Sequence, residues 1–235
     1  MSRSRPLVAI PGRFSASASA LRFGAVVTAR ALSQAVLRAG GEPLTVHPVA
    51  PGGIVTAQEV ASRLAFADAV LLPGGGDIAP WRYGEPTASD QVYDVDEEQD
   101  GFDLAVARWA LDTGIPLLAV CRGLHVVDVA MGGRLQQDMA EPHRHVVSDV
   151  SVAAGSLLHD LVGPTLSVSC YHHQRVTELG AGLRGIAWAK DGGLEAIEAD
   201  DRPGWFLGVQ WHPEDSSDRD SAQQAIMAAL VTAAR

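Results

Sequence analysis

The sequence predicts an α/β protein in which a mostly parallel sheet carries helices on both faces, with a β-rich portion added towards the C-terminus. Three observations lead there. Short apolar runs alternate with amphipathic stretches through roughly the first half of the chain. Glycine or proline ends most of these runs. The second half holds mostly β-type runs and closes on one amphipathic segment.

Taken in order, LVAI (7–10) reads as a buried strand that stops at Pro11-Gly12. SASASA (15–20) is small and polar and reads as a mobile loop. Residues 24–39 read as a helix stopped by Gly40-Gly41. PLTVHPV (43–49) is a second strand and 57–65 a short helix. AVLL (69–72) is a third strand, broken by Pro73 and three glycines. A helix is expected over 100–113, a strand over 116–120 and a helix over 123–131, stopped by Gly132-Gly133. The β-rich part comprises LSVSCY (166–171), GLEAIEA (193–199) and WFLGVQW (205–211), and 221–234 is the last helix. No linker, internal repeat or long low-complexity tract interrupts the chain, so residues 1–235 read as one domain.

Composition bounds the function. With 235 residues and 47% hydrophobic content, burial alone can stabilise a core. Two cysteines, Cys121 and Cys170, make no disulfide framework, which points to a reducing, cytoplasmic setting. The apolar run after Arg3, Arg5 and Pro6 is too short for a signal peptide, and no segment approaches a membrane span. A net charge of −10 argues against a nucleic-acid partner.

Chemistry enters at LLAVCRGLHVVDVAMGG (117–133), where a buried strand meets a helix at Cys121. In open α/β sheets, ligands bind outside the carboxyl ends of strands. A cysteine on such a turn gains thiolate character from the helix N-terminus. Gly123 suits the close backbone approach, and the Arg122 N–H points where an oxyanion would form. The other account of this stretch is a buried core cysteine. GVQWHPED (208–215) supplies a base, His212, with Glu214 two residues on. In extended chain, which Pro213 favours, those two side chains face the same side. A surface strand end is the plainer account of H-x-E alone. LLPGGGDIAPWRYG (71–84) leaves glycine N–H groups bare for the second half of an oxyanion hole, or is a simple glycine turn. It lacks both phosphate-loop spacings.

Three other features read more plainly. Cys170 precedes two histidines, which invites a metal or rival-nucleophile reading, but it lies mid-strand with no elbow and reads as a packed thiol. His143 and His145 lack Cys or carboxylate at ligand spacing and read as a polar loop, so no metal is expected. Asp94, Asp96, Glu97, Glu98 and Asp100 read as a solvated face with helix N-terminal charges; the alternative is selection of a cationic amine-bearing substrate.

AVCRG, PGGGDIAPWRYG, YHHQ (171–174) and GVQWHPE together resemble the class I glutamine amidotransferase superfamily, and within it the gamma-glutamyl-gamma-aminobutyrate hydrolase family. EQDGFDLAV (98–106) and DGGLEAIE (191–198) fall in the expected order, and the similarity spans nearly the whole chain. The resemblance implies a flavodoxin-like three-layer sandwich and a peptidase-like cysteine hydrolase of polyamine catabolism, without metal or organic cofactor. Its partner would be a small γ-glutamyl compound such as γ-glutamyl-GABA, with a homodimer as the assembly to consider. It puts the nucleophile on Cys121, the base on His212, the orienting acid on Glu214 and the oxyanion donors on the N–H groups of Arg122, Gly75 and Gly76. His125, Tyr171, His172, His173 and Gln174 would touch substrate. The chain departs from the family pattern at Gln99, Ala119, His125, Asp128 and Ser169-Cys170, which bears on substrate choice. Two rival functions are a glutaminase delivering ammonia to a separate synthase and a non-catalytic binding module on the same scaffold.

Overall fold

A computed structural model describes residues 5–235. Arg3 lies outside the described residues. The first half runs β1 (Leu7–Pro11), β2 (Arg13–Ser15), β3 (Ala25–Val27), α1 (Arg30–Arg38), β4 (Glu42–Val46), α2 (Ala57–Arg63), β5 (Ala69–Leu72), α3 (Glu97–Thr113), β6 (Leu117–Val120) and α4 (Arg122–Ala130). The second runs β7 (Arg134–Gln136), β8 (His143–Val152), α5 (Leu157–Val162), β9 (Thr165–His172), β10 (Arg175–Glu178), β11 (Leu183–Trp188), β12 (Leu194–Ala199), β13 (Phe206–Val209) and α6 (Ser221–Ala233).

Nine strands form one sheet in the order β4-β1-β5-β6-β13-β12-β11-β8-β9. The β4-β1-β5-β6-β13 half is parallel and the remainder antiparallel. Successive residues of the parallel strands feed opposite cores, as the strand period requires. Leu118 and Val120 pack with Leu32, Val36, Leu158, Ile226 and Leu230 from α1, α5 and α6. Leu117 and Ala119 pack with Val60, Phe102, Val106, Leu124 and Val127 from α2, α3 and α4. The three layers follow from that alternation. Side-chain caps fix four helix starts: Thr56, Asp96, Ser156 and Asp220 each accept from an N–H of the first turn.

Four expectations need correction. Within 24–39 only Arg30–Arg38 is helical; Ala25–Val27 pairs instead with Arg13–Ser15, taking Ser15 out of the expected loop. The helix expected from residue 100 starts at Glu97, because Asp96 caps it. His143 and His145 open the long strand β8 rather than a polar loop. The run 205–211 is a strand only over Phe206–Val209.

Candidate active site

Val120 ends β6 buried among apolar neighbours, and Cys121 turns the chain with φ 52° and ψ −108°. An L-residue in that region is strained and persists only where surroundings impose it. Two backbone bonds do so: the Cys121 N–H donates to Val209 O at 2.8 Å, and Cys121 O accepts from the Leu124 N–H at 3.0 Å. The turn also needs Gly123, since a Cβ there would lie 2.3 Å from Leu72 O. Arg122 is the first residue of α4, so its N–H has no intrahelical acceptor.

Adjacent parallel strands β5, β6 and β13 deliver the other parts side by side at their carboxyl ends. Gly74 to Gly76 follow β5, Cys121 follows β6 and His212 follows β13. Gly74 lies closest to the chemistry: a Cβ there would sit 2.7 Å from His212 Cε1 and 3.6 Å from Cys121 Cβ. His212 Nδ1 lies 2.9 Å from Glu214 Oε1. The path between them is not extended, as the sequence suggested, but a 3₁₀ turn over Pro213–Asp215. Glu214 is buried and its Oε2 has no hydrogen-bond partner. Burial pushes the His212 imidazole towards neutrality. The facing Cys121 sulfur outweighs this by charge and hydrogen bonding, Glu214 adds to it, and the pKa is pushed up to about 11. The His212 N–H donates to Ser169 O at 2.9 Å, which brings edge strand β9 against the end of β13.

A narrow cleft opens at the elbow. Gly75, Gly76, Cys121, Arg122, His125 and the whole of Tyr171–Gln174 line it, so the sequence-predicted binding residues come together. His212 and Glu214 face a neighbouring hollow with Arg13 and Gly74. The cleft floor is a polar relay. His125 Nε2 lies 2.7 Å from Gln210 Oε1, and the Gln210 amide Nε2 donates towards Cys121 Sγ at 3.9 Å. Burial drives the His125 pKa down to about 3, so a neutral ring donates to Gln210. Tyr171 O lies 3.9 Å from the same sulfur. His173 bridges Asp77, at 3.1 Å, and Asp138, at 3.2 Å. Asp77 also accepts from the Tyr93 N–H at 3.0 Å, while burial raises its pKa.

Motif reading missed four lining or contacting residues: Gly74, Asp77, Tyr93 and Gln210. Gly74, Asp77 and Gln210 sit inside motifs already singled out, where a side-chain-by-side-chain reading would have found them. Tyr93 had no signal, because it arrives from a loop. The acidic run is a solvated face only in part: Asp94 and Glu97 are exposed, Glu97, Glu98 and Asp100 charge the first turn of α3, and Asp100 is buried. Asp94 pairs with Arg13, Asp96 caps α3, Glu97 accepts from Trp81 Nε1, and Glu98 accepts from the Ala50 N–H. Asp100 is buried against Arg122 at 2.7 Å, and Asp103 holds the same guanidinium at 2.5 Å. Arg122 therefore offers the cleft its backbone rather than its charge. Cys170 is a buried free thiol in mid-strand, as expected. Beside it, His143, His172 and Glu195 present ligand atoms that all lie, with its sulfur, within 4.8 Å of one another.

Residues 6–214 match the family model described as Peptidase C26. Protein NtpR of Enterococcus hirae is 31% identical over 212 residues, covering 85% of this chain and 86% of its own. The gamma-glutamyl-gamma-aminobutyrate hydrolase of Escherichia coli (strain K12) is 30% identical over 219 residues, covering 85% of this chain and 83% of its own. A solved Thermoplasma acidophilum structure, provisionally assigned as one component of a GMP synthase, has TM-score 0.70 at 14% identity. It covers 99% of this chain and 96% of that one, which shows the shared fold.

Proposed function

Because the chain belongs to the Peptidase C26 family and is a hydrolase acting on amide bonds, we propose that it cleaves the γ-glutamyl amide of a small γ-glutamyl compound through a thioester on Cys121. The observation that carries this reading is the strained Cys121 at a helix N-terminus facing an imidazole held by Glu214 at 2.9 Å. The Cys121 thiolate attacks the δ-carbonyl carbon. The developing oxyanion rests on the N–H groups of Arg122 and Gly75, with Gly76 adjacent. The His212 imidazolium gives its proton to the leaving nitrogen and the amine departs. Neutral His212 then takes a proton from water, hydroxide adds to the thioester, and glutamate leaves as the thiolate returns. Glu214 fixes the tautomer and favours the imidazolium.

From the likeness to gamma-glutamyl-gamma-aminobutyrate hydrolases we infer a glutamyl group with a short amine, as in γ-glutamyl-GABA, and a role in polyamine catabolism. The Tyr171–Gln174 segment and His125 would hold the glutamyl part. Each carboxylate of the acidic run has a partner within the chain, which argues against its selecting a cationic amine. We assign the protein to the reducing cytoplasm, where both free thiols persist. Among the described residues no helix is long and apolar enough to cross a membrane. Residues 1–235 acting as one domain belong to the same proposal, supported by one sheet that takes strands from Leu7 to Val209. A panel of γ-glutamyl amides with different amines, scored by glutamate release, tests the reading. Turnover of one such amide by the chain alone supports it; glutamine turnover that appears only with an added partner protein contradicts it.

A further inference from the structure

Four side chains outside the catalytic set converge from three strands beside the cleft. His143 opens β8, Cys170 and His172 share one face of β9 at i and i+2, and Glu195 lies in β12. His143 Nδ1 lies 3.3 Å and His172 Nε2 3.5 Å from Glu195 Oε1. Tetrahedral zinc, with bonds of about 2.0–2.3 Å, spaces its ligand atoms about 3.3–3.8 Å apart. Those two separations already match, and all four ligand atoms lie within 4.8 Å of one another.

We propose that His143, Cys170, His172 and Glu195 form a structural site for a zinc-type divalent cation that clamps the base of the Tyr171–Gln174 segment.

Two independent observations point to a ligand. His172 Nε2 and Glu195 Oε2 are buried polar atoms with no hydrogen-bond partner, on residues 6% and 1% exposed. The outward nitrogens of both imidazoles are held as metal-ligating histidines usually are. His172 Nδ1 lies 2.9 Å from Gln174 O, an acceptor only, so Nδ1 carries the proton and Nε2 is left with its lone pair aimed at the cluster. His143 Nε2 lies 3.4 Å from the Asp191 carboxylate, while its Nδ1 faces the cluster in a hydrogen bond of 3.3 Å with Glu195 Oε1 that a metal between them would replace. One thiolate, two imidazoles and one carboxylate are borderline-soft donors that suit zinc rather than magnesium or calcium. Binding would release the Cys170 thiol proton to solvent, with no change of oxidation state. A metal here fixes Tyr171, whose carbonyl faces Cys121 Sγ, between two anchored neighbours.

The test uses the purified full chain, freed of metal by chelator dialysis, and titrates it with cobalt(II). The site predicts uptake of one equivalent per chain, a thiolate-to-cobalt charge-transfer band, and displacement of cobalt by zinc. The rival thiol is Cys121, so its variant decides. The band persists in Cys121→Ser, disappears in Cys170→Ser, and its affinity falls about 10–100-fold in Asp191→Asn. His143→Gln, with its fold checked by circular dichroism, gives a second ligand variant that must also lose tight binding. Absence of stoichiometric uptake, or a band lost in Cys121→Ser and kept in Cys170→Ser, overturns the proposal.

Discussion

At the scale of single residues, the site is a set of side chains whose protonation is fixed by neighbours. His212 holds its proton far above its ordinary value because burial is outweighed by the Cys121 sulfur and by Glu214. A raised imidazole pKa contributes stability that is complete below 6.5 and is lost as pH rises through about 11. Wild-type protein should therefore lose stability across that alkaline window, and Cys121→Ala, without the sulfur's pull, should lose less; chemical denaturation at a series of pH values measures the difference. Glu214→Gln keeps the shape but not the charge that orients the ring, and should lower kcat by about 10²–10⁴-fold with an unchanged fold. Asp128 shifts in the same direction as His212 but from the opposite cause, since burial drives the shift instead of opposing it. Burial, against one hydrogen bond from the Gly180 N–H, raises its pKa to about 7. A raised carboxyl pKa makes the folded state bind the proton more tightly than the unfolded one, so stability falls as pH rises from about 4 to about 7. Asn at that position keeps the acceptor for Gly180 and carries no charge. Asp128→Asn should then remove this loss, read as a melting temperature less dependent on pH between those values; an unchanged profile would contradict the assignment.

At the scale of elements, close backbone approaches hold the pieces of the site in register. Helix α3 seats on the turn at residues 51–53, where a Cβ on Gly101 would lie 2.2 Å from Gly53 O. The same helix carries Asp100 and Asp103, which anchor the Arg122 side chain and so the start of α4. Gly101→Ala should cost about 1–3 kcal/mol, which at about 2–4 °C per kcal/mol lowers the melting temperature measurably. The parallel half was legible in the sequence because its strands are continuous apolar runs with clear breakers, and the elbow and His212 sit at the ends of two of them. The β2–β3 hairpin was not, because its second strand, Ala25–Val27, runs straight into helical spacing. Strand β8 was hidden because its first half runs HRHVV, mostly exposed, and shows no alternation. The cluster around Cys170 was only partly legible: the histidines after Cys170 invite a metal reading, but the donors lie on three strands, so no complete ligand spacing appears along the chain.

Across the whole molecule, the parallel half of the sheet brings Cys121, His212 and the glycine loop together, and the antiparallel half curls β9 against them to complete the cleft. Motif reading captured this division because Cys121, His212 and the glycines each follow a strand end; it missed the cleft's polar floor, His125 to Gln210 to Cys121, which depends on packing between α4 and β13. Trapping the covalent intermediate tests the central claim most directly. Intact-mass measurement after mixing the protein with a γ-glutamyl amide and quenching in acid should show one γ-glutamyl group added, mapped to Cys121, more persistent in His212→Ala and absent in Cys121→Ala. Glutamate release without any adduct on Cys121, or release that continues in purified Cys121→Ala, would contradict the account.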